Sequence, residues 1–172
     1  MIIVKAPASS DRESIDRSIQ ERVHSILQRV FEDGEKALLE LNRHLDGYEG
    51  PILVREKAMN EALAQMDPSL RQAVETAIDH VRAFHRAQRE MFRDQEWEIS
   101  QGIRAGMRFL PVRSAGVYIP GGRYPLISTA VMGIIPAQEA GVSRIVAFSP
   151  PRDSSGISKP ILATLCLLGL KE

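Results

Sequence analysis

A glycine-rich turn, set between two short apolar runs and an apolar helix, constrains the fold of this chain more than any other feature. Residues 114–151 read SAGVYIPGGRYPLISTAVMGIIPAQEAGVSRIVAFSPP. The pattern predicts a strand at 116–119, a Pro-Gly-Gly turn, a helix, a second strand at 144–148 and a Pro-Pro stop. This order predicts a parallel βαβ unit, whose turn brings backbone N–H groups close to a ligand. One further helix follows, so a nucleotide-binding sheet is begun and not completed.

The sequence before this unit is mainly helical. Apolar stripes predict two helices in the first part of the chain, one from about Ile15 that Gly34 ends and a shorter one after it. A single strand is predicted at 51–54 and a third helix at 56–66. These short elements precede a longer amphipathic stretch.

A strong helix-start signal opens that stretch. Asp67 is a candidate N-cap and Pro68 suits the first position of a long helix that runs to about Arg93. Residues 97–99 and 104–109, joined around a Gln-Gly pair, predict a β-hairpin. The fold class is therefore α/β, with a helical amino-terminal segment and a hairpin before the βαβ unit.

Composition indicates a globular protein with no strong global charge. Lys plus Arg and Asp plus Glu number 22 each, so nothing favours nucleic acid or an anionic membrane surface as a partner. No apolar run approaches the ~20 residues of a membrane span, and the start of the chain does not resemble a signal peptide. The single cysteine, Cys166, lies in an apolar run and makes no intrachain disulfide. We therefore expect a cytoplasmic protein.

Four residues of the glycine-rich turn are the candidate binding residues. Gly121 and Gly122 allow close backbone approach to a ligand, and the alternative is a tight turn that only packs. Tyr118 falls at the carboxyl end of the first strand, where it contacts a ligand or caps the core with its hydroxyl in water. Arg123 is a candidate partner for an anionic group, or else a solvated side chain.

Catalytic and metal-binding residues are not predicted anywhere in the sequence. Neither GxGxxG nor GxxxxGK[ST] occurs. The four histidines lie in predicted helices without the spacing of a metal or acid/base site, so we interpret them as structural or surface residues. They are His24, His44, His80 and His85.

Several motifs together resemble histidinol dehydrogenases and their paralogues. They are GVYIPGG at 116–122, the MxxIPAxxAGV pattern at 132–142 and SPP at 149–151, with VxxxGEKAL and AFHRAQ upstream. The similarity extends over nearly the whole chain from about Ile15. The loop GGRYPL departs from the small residues usual before the proline in that family, and is more similar to paralogues such as sulfopropanediol dehydrogenase.

This resemblance implies a zinc-dependent, NAD-linked alcohol dehydrogenase of histidine biosynthesis, oxidising L-histidinol to L-histidine, or a related alcohol-to-acid enzyme. The family forms homodimers with incomplete Rossmann-like domains, and the tyrosine of GVYIPGG, here Tyr118, contacts NAD. Gly121 and Gly122 are the accompanying cofactor-binding candidates, and Arg123 is the substrate-selectivity candidate. Helix-dominated sequence gives way to α/β sequence near 109–114, so residues 1–110 are predicted to be a helical segment with a hairpin. The resemblance implies that residues 111–172 are a partial NAD-binding domain.

The family's zinc and acid/base residues have no counterparts here, because they lie in sequence beyond this chain. We therefore expect zinc only in a full-length enzyme, no activity from the chain alone, and a homodimer or a carboxyl-terminal half as its partner. The alternatives are a non-catalytic binding module, a split-enzyme half and a non-functional fragment. We also expect Ile134, Ile135, Val146, Leu165 and Leu168 to lack part of their packing in so small a sheet.

Overall fold

A computed structural model describes residues 17–121 and 124–171 of the chain. The helices are α1 Arg17–Asp33, α2 Glu35–Leu41, α3 Glu56–Ala64, α4 Pro68–Glu90, α5 Ile127–Glu139 and α6 Lys159–Leu167. The strands are β1 Gln95–Ser100, β2 Ile103–Met107, β3 Ser114–Tyr118 and β4 Arg144–Phe148. This is the predicted mixed α/β fold, in which helices and a hairpin precede a βαβ unit.

The chain divides into two compact units, Met1–Leu45 and Asp46–Glu172. This division lies earlier than the predicted boundary between residues 110 and 111. The reason is that buried residues of α3 and α4 share one apolar core with those of α5 and α6. The assignment of 111–172 as a partial NAD-binding domain stays a prediction.

The first unit contains α1 and α2. Gly34 separates them with a φ of 57°, in the left-handed region that glycine occupies without steric cost. Ala37 of α2 is buried, whereas the apolar side chains of α1 are largely exposed. An ion pair between Arg29 and Glu40 joins the two helices. The predicted stripe begins at Ile15, which lies outside the described residues.

The start of α4 confirms the predicted cap. Asp67 Oδ1 accepts hydrogen bonds from the amides of Ser69 at 2.9 Å and Leu70 at 3.0 Å, and Pro68 occupies the first turn. The strand predicted at 51–54 is wrong, because this segment forms bends before α3. Pro51 instead accepts a hydrogen bond from the Tyr48 hydroxyl through its carbonyl oxygen, at 3.2 Å.

The predicted hairpin is confirmed, with β1 and β2 antiparallel and Gly102 in the turn at a φ of 78°. The register pairs Gln95 with Met107, Trp97 with Ala105 and Glu98 with Arg104. Successive side chains along each strand point to opposite faces of the hairpin. Every residue of both strands is exposed, so neither face of the hairpin is covered within the described part of the chain.

The βαβ unit has the predicted parallel order. Ser114 pairs with Arg144 and Tyr118 with Phe148, so the carboxyl ends of β3 and β4 lie side by side. Val117, Ile145 and Ala147 pack towards the core, and α5 covers this inner face. Both α5 and α6 are well buried, and α6 packs against α3 and α5.

The expectation that five side chains of this region lack part of their packing is wrong for four of them. Ile134, Ile135, Leu165 and Leu168 are all buried, and only Val146 is partly exposed. The long helix α4 packs along α5, and α3 packs along α6, so the helical segment covers the side chains that the two-stranded sheet cannot. No helix among the described residues is long and apolar enough to cross a membrane.

Candidate functional site

Tyr118 lies where the sequence predicts it, at the carboxyl end of a parallel strand. It is the last residue of β3, and its side chain is 63% exposed on the sheet face opposite α5. Residues on alternate positions of a strand point to opposite faces, and its neighbours Val117 and Ile119 are directed to the core. The exposed ring is therefore available for contact with a ligand at this edge of the sheet.

Phe148 was not predicted as a site residue, yet it lies beside Tyr118. The two are register partners, and Phe148 is 56% exposed on the same face. A Cβ on Gly116 would come within 2.9 Å of Cε2 of the Phe148 ring, so the ring lies across the glycine. The signal for this pairing is the strand register. Sequence analysis would predict it only by aligning the predicted β3 and β4 as parallel neighbours.

Gly121 brings the two strand-end loops together. A Cβ there would be 2.9 Å from both the Cγ and the carbonyl oxygen of Pro150, which follows β4. The φ of Gly121 is not in the left-handed region, so the backbone conformation does not require glycine here. Glycine is required because Pro150 lies too close for a side chain. The loops after β3 and β4 thus meet in a tight contact next to Tyr118. Gly122 and Arg123 lie outside the described residues.

The start of α5 follows this loop directly. Leu126 is the N-cap residue, without a side-chain cap, and its carbonyl accepts a hydrogen bond from the Thr129 amide at 3.1 Å. The Ile127 amide likewise donates to the Pro125 carbonyl at 3.0 Å, so two amides of the first turn have acceptors within the chain. A helix N-terminus after a strand-end loop is the arrangement that suits anionic ligand groups in α/β proteins. The surface between Tyr118, the Gly121–Pro150 contact and the start of α5 is the candidate site.

Of the four histidines, which the sequence predicts to be structural or surface residues, His85 has both a polar and an aromatic contact. His85 Nδ1 lies 2.9 Å from Gln88 Oε1, and its ring packs edge-on against Phe84 with centroids 5.2 Å apart. Throughout residues 17–121 and 124–171, no three His, Cys, Asp or Glu side chains converge in a way that could hold a metal ion.

Cys166 is a thiol of the α3–α6 contact. Its Sγ lies 3.1 Å from Asn60 Oδ1, to which the S–H donates. Burial raises the pKa of this thiol, and the nearby Glu56 carboxylate adds to the effect. Because the thiolate is the nucleophilic form, this environment does not activate the sulfur.

The fold and the site together define a class of protein. It is a mixed α/β protein with a parallel βαβ unit, a candidate site at the carboxyl ends of the parallel strands, and helices packed on the core of that unit. The family profile for histidinol dehydrogenase matches residues 9–172. The chain belongs to the histidinol dehydrogenase family, as its motifs predict.

Individual relatives agree with this assignment. The chain is 40% identical over 169 residues to the histidinol dehydrogenase of Thermobifida fusca, covering 96% of this chain and 38% of the relative. It is 33% identical over 165 residues to the sulfopropanediol 3-dehydrogenase of Ruegeria pomeroyi, with the same coverages of 96% and 38%. The crystal structure of histidinol dehydrogenase from Elizabethkingia anophelis superimposes with a TM-score of 0.84 at 30% identity, covering 99% of this chain and 37% of that one. The chain thus spans well under half of the length of these relatives.

Proposed function

We propose that this chain is the NAD-contacting amino-terminal part of an NAD-linked alcohol dehydrogenase of the histidinol dehydrogenase type. The substrate class is a primary alcohol that is oxidised to an acid, either L-histidinol in histidine biosynthesis or a related compound such as a sulfonated propanediol. The observation that supports this most directly is an exposed tyrosine, Tyr118, at the carboxyl end of a parallel strand in a chain of this family.

The candidate site has features that suit a dinucleotide. Tyr118 offers an exposed aromatic face, and Gly121 removes the side chain that would separate the two strand-end loops. α5 begins after the same loop, and the positive end of its dipole would favour a phosphate. NAD would supply hydride acceptance when bound, and the residues of this chain would hold and orient its nucleotide part.

Zinc does not fit the residues that the structure describes. A catalytic zinc takes three protein ligands and an open position, and the described residues contain no group of three suitable side chains. We therefore assign the metal and the acid/base chemistry to polypeptide equivalent to the remaining length of the relatives. On this proposal the chain alone oxidises no alcohol, and it functions with a carboxyl-terminal half in a homodimeric, cytoplasmic enzyme.

Arg123 keeps its role as the candidate selectivity residue on sequence alone. Its place after paired glycines, next to the cofactor-binding candidates Gly121 and Gly122, would bring a guanidinium to the mouth of the site. Such a group favours a substrate with a carboxylate or sulfonate over a neutral alcohol.

NAD titration of the purified chain tests the proposal. Tyr118→Ala is expected to weaken NAD binding by about 1–1.5 kcal/mol, roughly tenfold in Kd, because an aromatic contact is lost. Tyr124→Ala is the matched control, because Tyr124 is also an exposed tyrosine of the same region, at 77% against 63% for Tyr118. We expect its Kd for NAD to equal that of the unmodified chain. The proposal fails if the chain does not bind NAD, or if both variants bind it equally.

A further inference from the structure

A cavity of about 480 Å³ opens at the amino-terminal end of α6. Its wall is formed by α3, by the loop that follows β4 and by the first turn of α6, all within the Asp46–Glu172 unit. Ala62 and Leu162 are buried apolar residues of this wall. Its charged residues are Glu61, Arg152, Asp153 and Lys159. The lining shares no residue with the candidate site around Tyr118, so this cavity is a separate feature.

Ser158 lines the cavity and carries an unused hydroxyl. In the described part of the chain, its Oγ is the one buried side-chain oxygen or nitrogen without a hydrogen-bond partner, in a residue that is 7% exposed. Ser158 is the N-cap of α6, where a serine hydroxyl ordinarily accepts a hydrogen bond from the second or third amide of the helix. Here the second position is Pro160, which has no N–H, and the Ile161 amide donates to the Ser158 carbonyl at 3.0 Å. Because a buried hydroxyl is costly without a partner, a group that enters the cavity would gain this hydrogen bond.

The two cations of the wall also have donors to spare. Lys159 Nζ donates to Gln65 Oε1 at 2.8 Å, and an ammonium carries three N–H groups. The guanidinium of Arg152 carries five, and no hydrogen bond or ion pair among the described residues uses them. The Lys159 amide is the first of α6, and amides of a first helical turn have no acceptor within the helix. This end of the cavity is therefore rich in hydrogen-bond donors.

The carboxylates of the wall have donors of their own. Asp153 Oδ1 accepts hydrogen bonds from the Ser155 hydroxyl at 2.5 Å and the Ser155 amide at 2.8 Å, and these bonds hold the pKa of Asp153 below its ordinary value. Glu61 Oε1 lies 3.9 Å from Lys57 Nζ. The four charged side chains sum to zero, so a preference for an anion comes from the unspent donors and from the positive end of the α6 dipole.

We propose that this cavity binds a phosphate group, either free or carried by a small phosphate monoester. A phosphate accepts hydrogen bonds from a hydroxyl, an ammonium, a guanidinium and a helix amino terminus, which are the donors that Ser158, Lys159, Arg152 and α6 place around the cavity. The volume falls within the range of small-molecule sites, about 300–1,000 Å³. Ala62 and Leu162 add apolar surface against which the remainder of an ester packs.

Titration of the full 172-residue chain with inorganic phosphate, followed by NMR at constant ionic strength, tests the site. The amides of Ser158 and Lys159 are expected to shift and to saturate. Ser158→Ala and Lys159→Gln should each raise the Kd for phosphate about tenfold, because each removes a hydrogen bond to a charged group. Lys171→Gln is the matched control, since Lys171 is an exposed lysine outside the cavity, and its Kd should be unchanged. The inference is overturned if the two amides show no saturable shift, or if Lys171→Gln weakens binding as much as Lys159→Gln.

The stability of Ser158→Ala separates a ligand contact from a structural role. Its hydroxyl bonds nothing among the described residues, so the variant should keep the urea midpoint of the unmodified chain in phosphate-free buffer and lose the increase that phosphate produces. A midpoint lowered equally with and without phosphate would assign the hydroxyl to the fold and overturn the inference. Tyr118→Ala should leave the Kd for phosphate unchanged, and a loss of phosphate binding in that variant would place the ion at the candidate NAD site instead.

A second probe, glycerol 3-phosphate, distinguishes the two sources of the phosphate group. A Kd lower than that of inorganic phosphate identifies a monoester as the ligand, and equal Kd values identify free phosphate. Acetate, which presents a carboxylate, should bind more weakly than either, and tighter binding of acetate would overturn the assignment to phosphate.

Discussion

Gly133 in the middle of α5 gives the sharpest test of how this fold is packed. A Cβ built on Gly133 would lie 2.5 Å from Cγ1 of Val117 on β3, which is closer than non-bonded carbon atoms approach. A valine side chain has a restricted χ1, so it cannot easily turn away. Helix and strand therefore meet at a glycine because no side chain fits between them.

The expected effect of Gly133→Ala follows from two opposing contributions. Alanine favours a helix over glycine by about 1 kcal/mol, whereas overpacking a core costs about 1–3 kcal/mol. A contact as short as 2.5 Å places the cost at the upper end of that range. We therefore expect Gly133→Ala to lower the free energy of unfolding by about 2 kcal/mol.

A second substitution reverses the sign. Val117→Ala alone removes two methyl groups and should cost about 1.5 kcal/mol of buried apolar surface. In that background the clash is absent, so Gly133→Ala should stabilise by about 1 kcal/mol, through helix propensity alone. Urea denaturation followed by circular dichroism measures all four proteins. If Gly133→Ala changes stability by the same amount in both backgrounds, the close contact between α5 and β3 is not what requires the glycine.

Two further predictions concern the helices that pack on the α/β core. Asp67→Ala should lower the urea midpoint more than Asp67→Asn, which keeps an acceptor for the amides of the first turn of α4. Hydrogen bonds from the Ser69 hydroxyl, and secondarily from the Leu70 amide, hold the pKa of Asp67 below its ordinary value of 3.8. The carboxylate therefore stabilises the folded state fully above pH 3.8, and this stabilisation is lost as the pH falls through the lower, folded-state pKa. The urea midpoints of the unmodified protein and Asp67→Asn should therefore converge in acid. Glu139→Gln should cost about 1 kcal/mol, because this carboxylate is only 17% exposed and bonds both Arg82 and Arg86 at 3.2 Å. The control Glu75→Gln breaks an exposed ion pair with Arg71 and should cost only about 0.3 kcal/mol in the same denaturation assay. Equal losses of stability in the two variants would contradict the inference that the ion pairs of Glu139 stabilise the fold more than that of Glu75.

Local signals predicted most of the elements that form. The Asp67–Pro68 start of α4 and the Gly102 turn of the hairpin depend on the chemistry of a few neighbouring residues, so they were predicted correctly. β4 was predicted with its observed ends. The predicted strand at 51–54 failed because a short apolar run forms a strand only where another strand can pair with it. Ser128 and Thr129, which are common capping residue types, do not cap α5, because the helix already begins at Ile127.

The sequence by itself determined the family, the place of Tyr118 at a strand end, and the order in which long helix, hairpin and βαβ unit follow one another. Each of these depends on short motifs and on spacing along the chain. Tertiary structure decided which residues lie together. It brought Phe148 beside Tyr118 through strand register, and it set Gly121 against Pro150 and Gly133 against Val117. It also placed α3 and α4 on the same core as the βαβ unit, which buries Ile134 and Leu165. These contacts join residues that are distant in sequence, and their geometry follows from the packing of whole helices and strands, which no local pattern records.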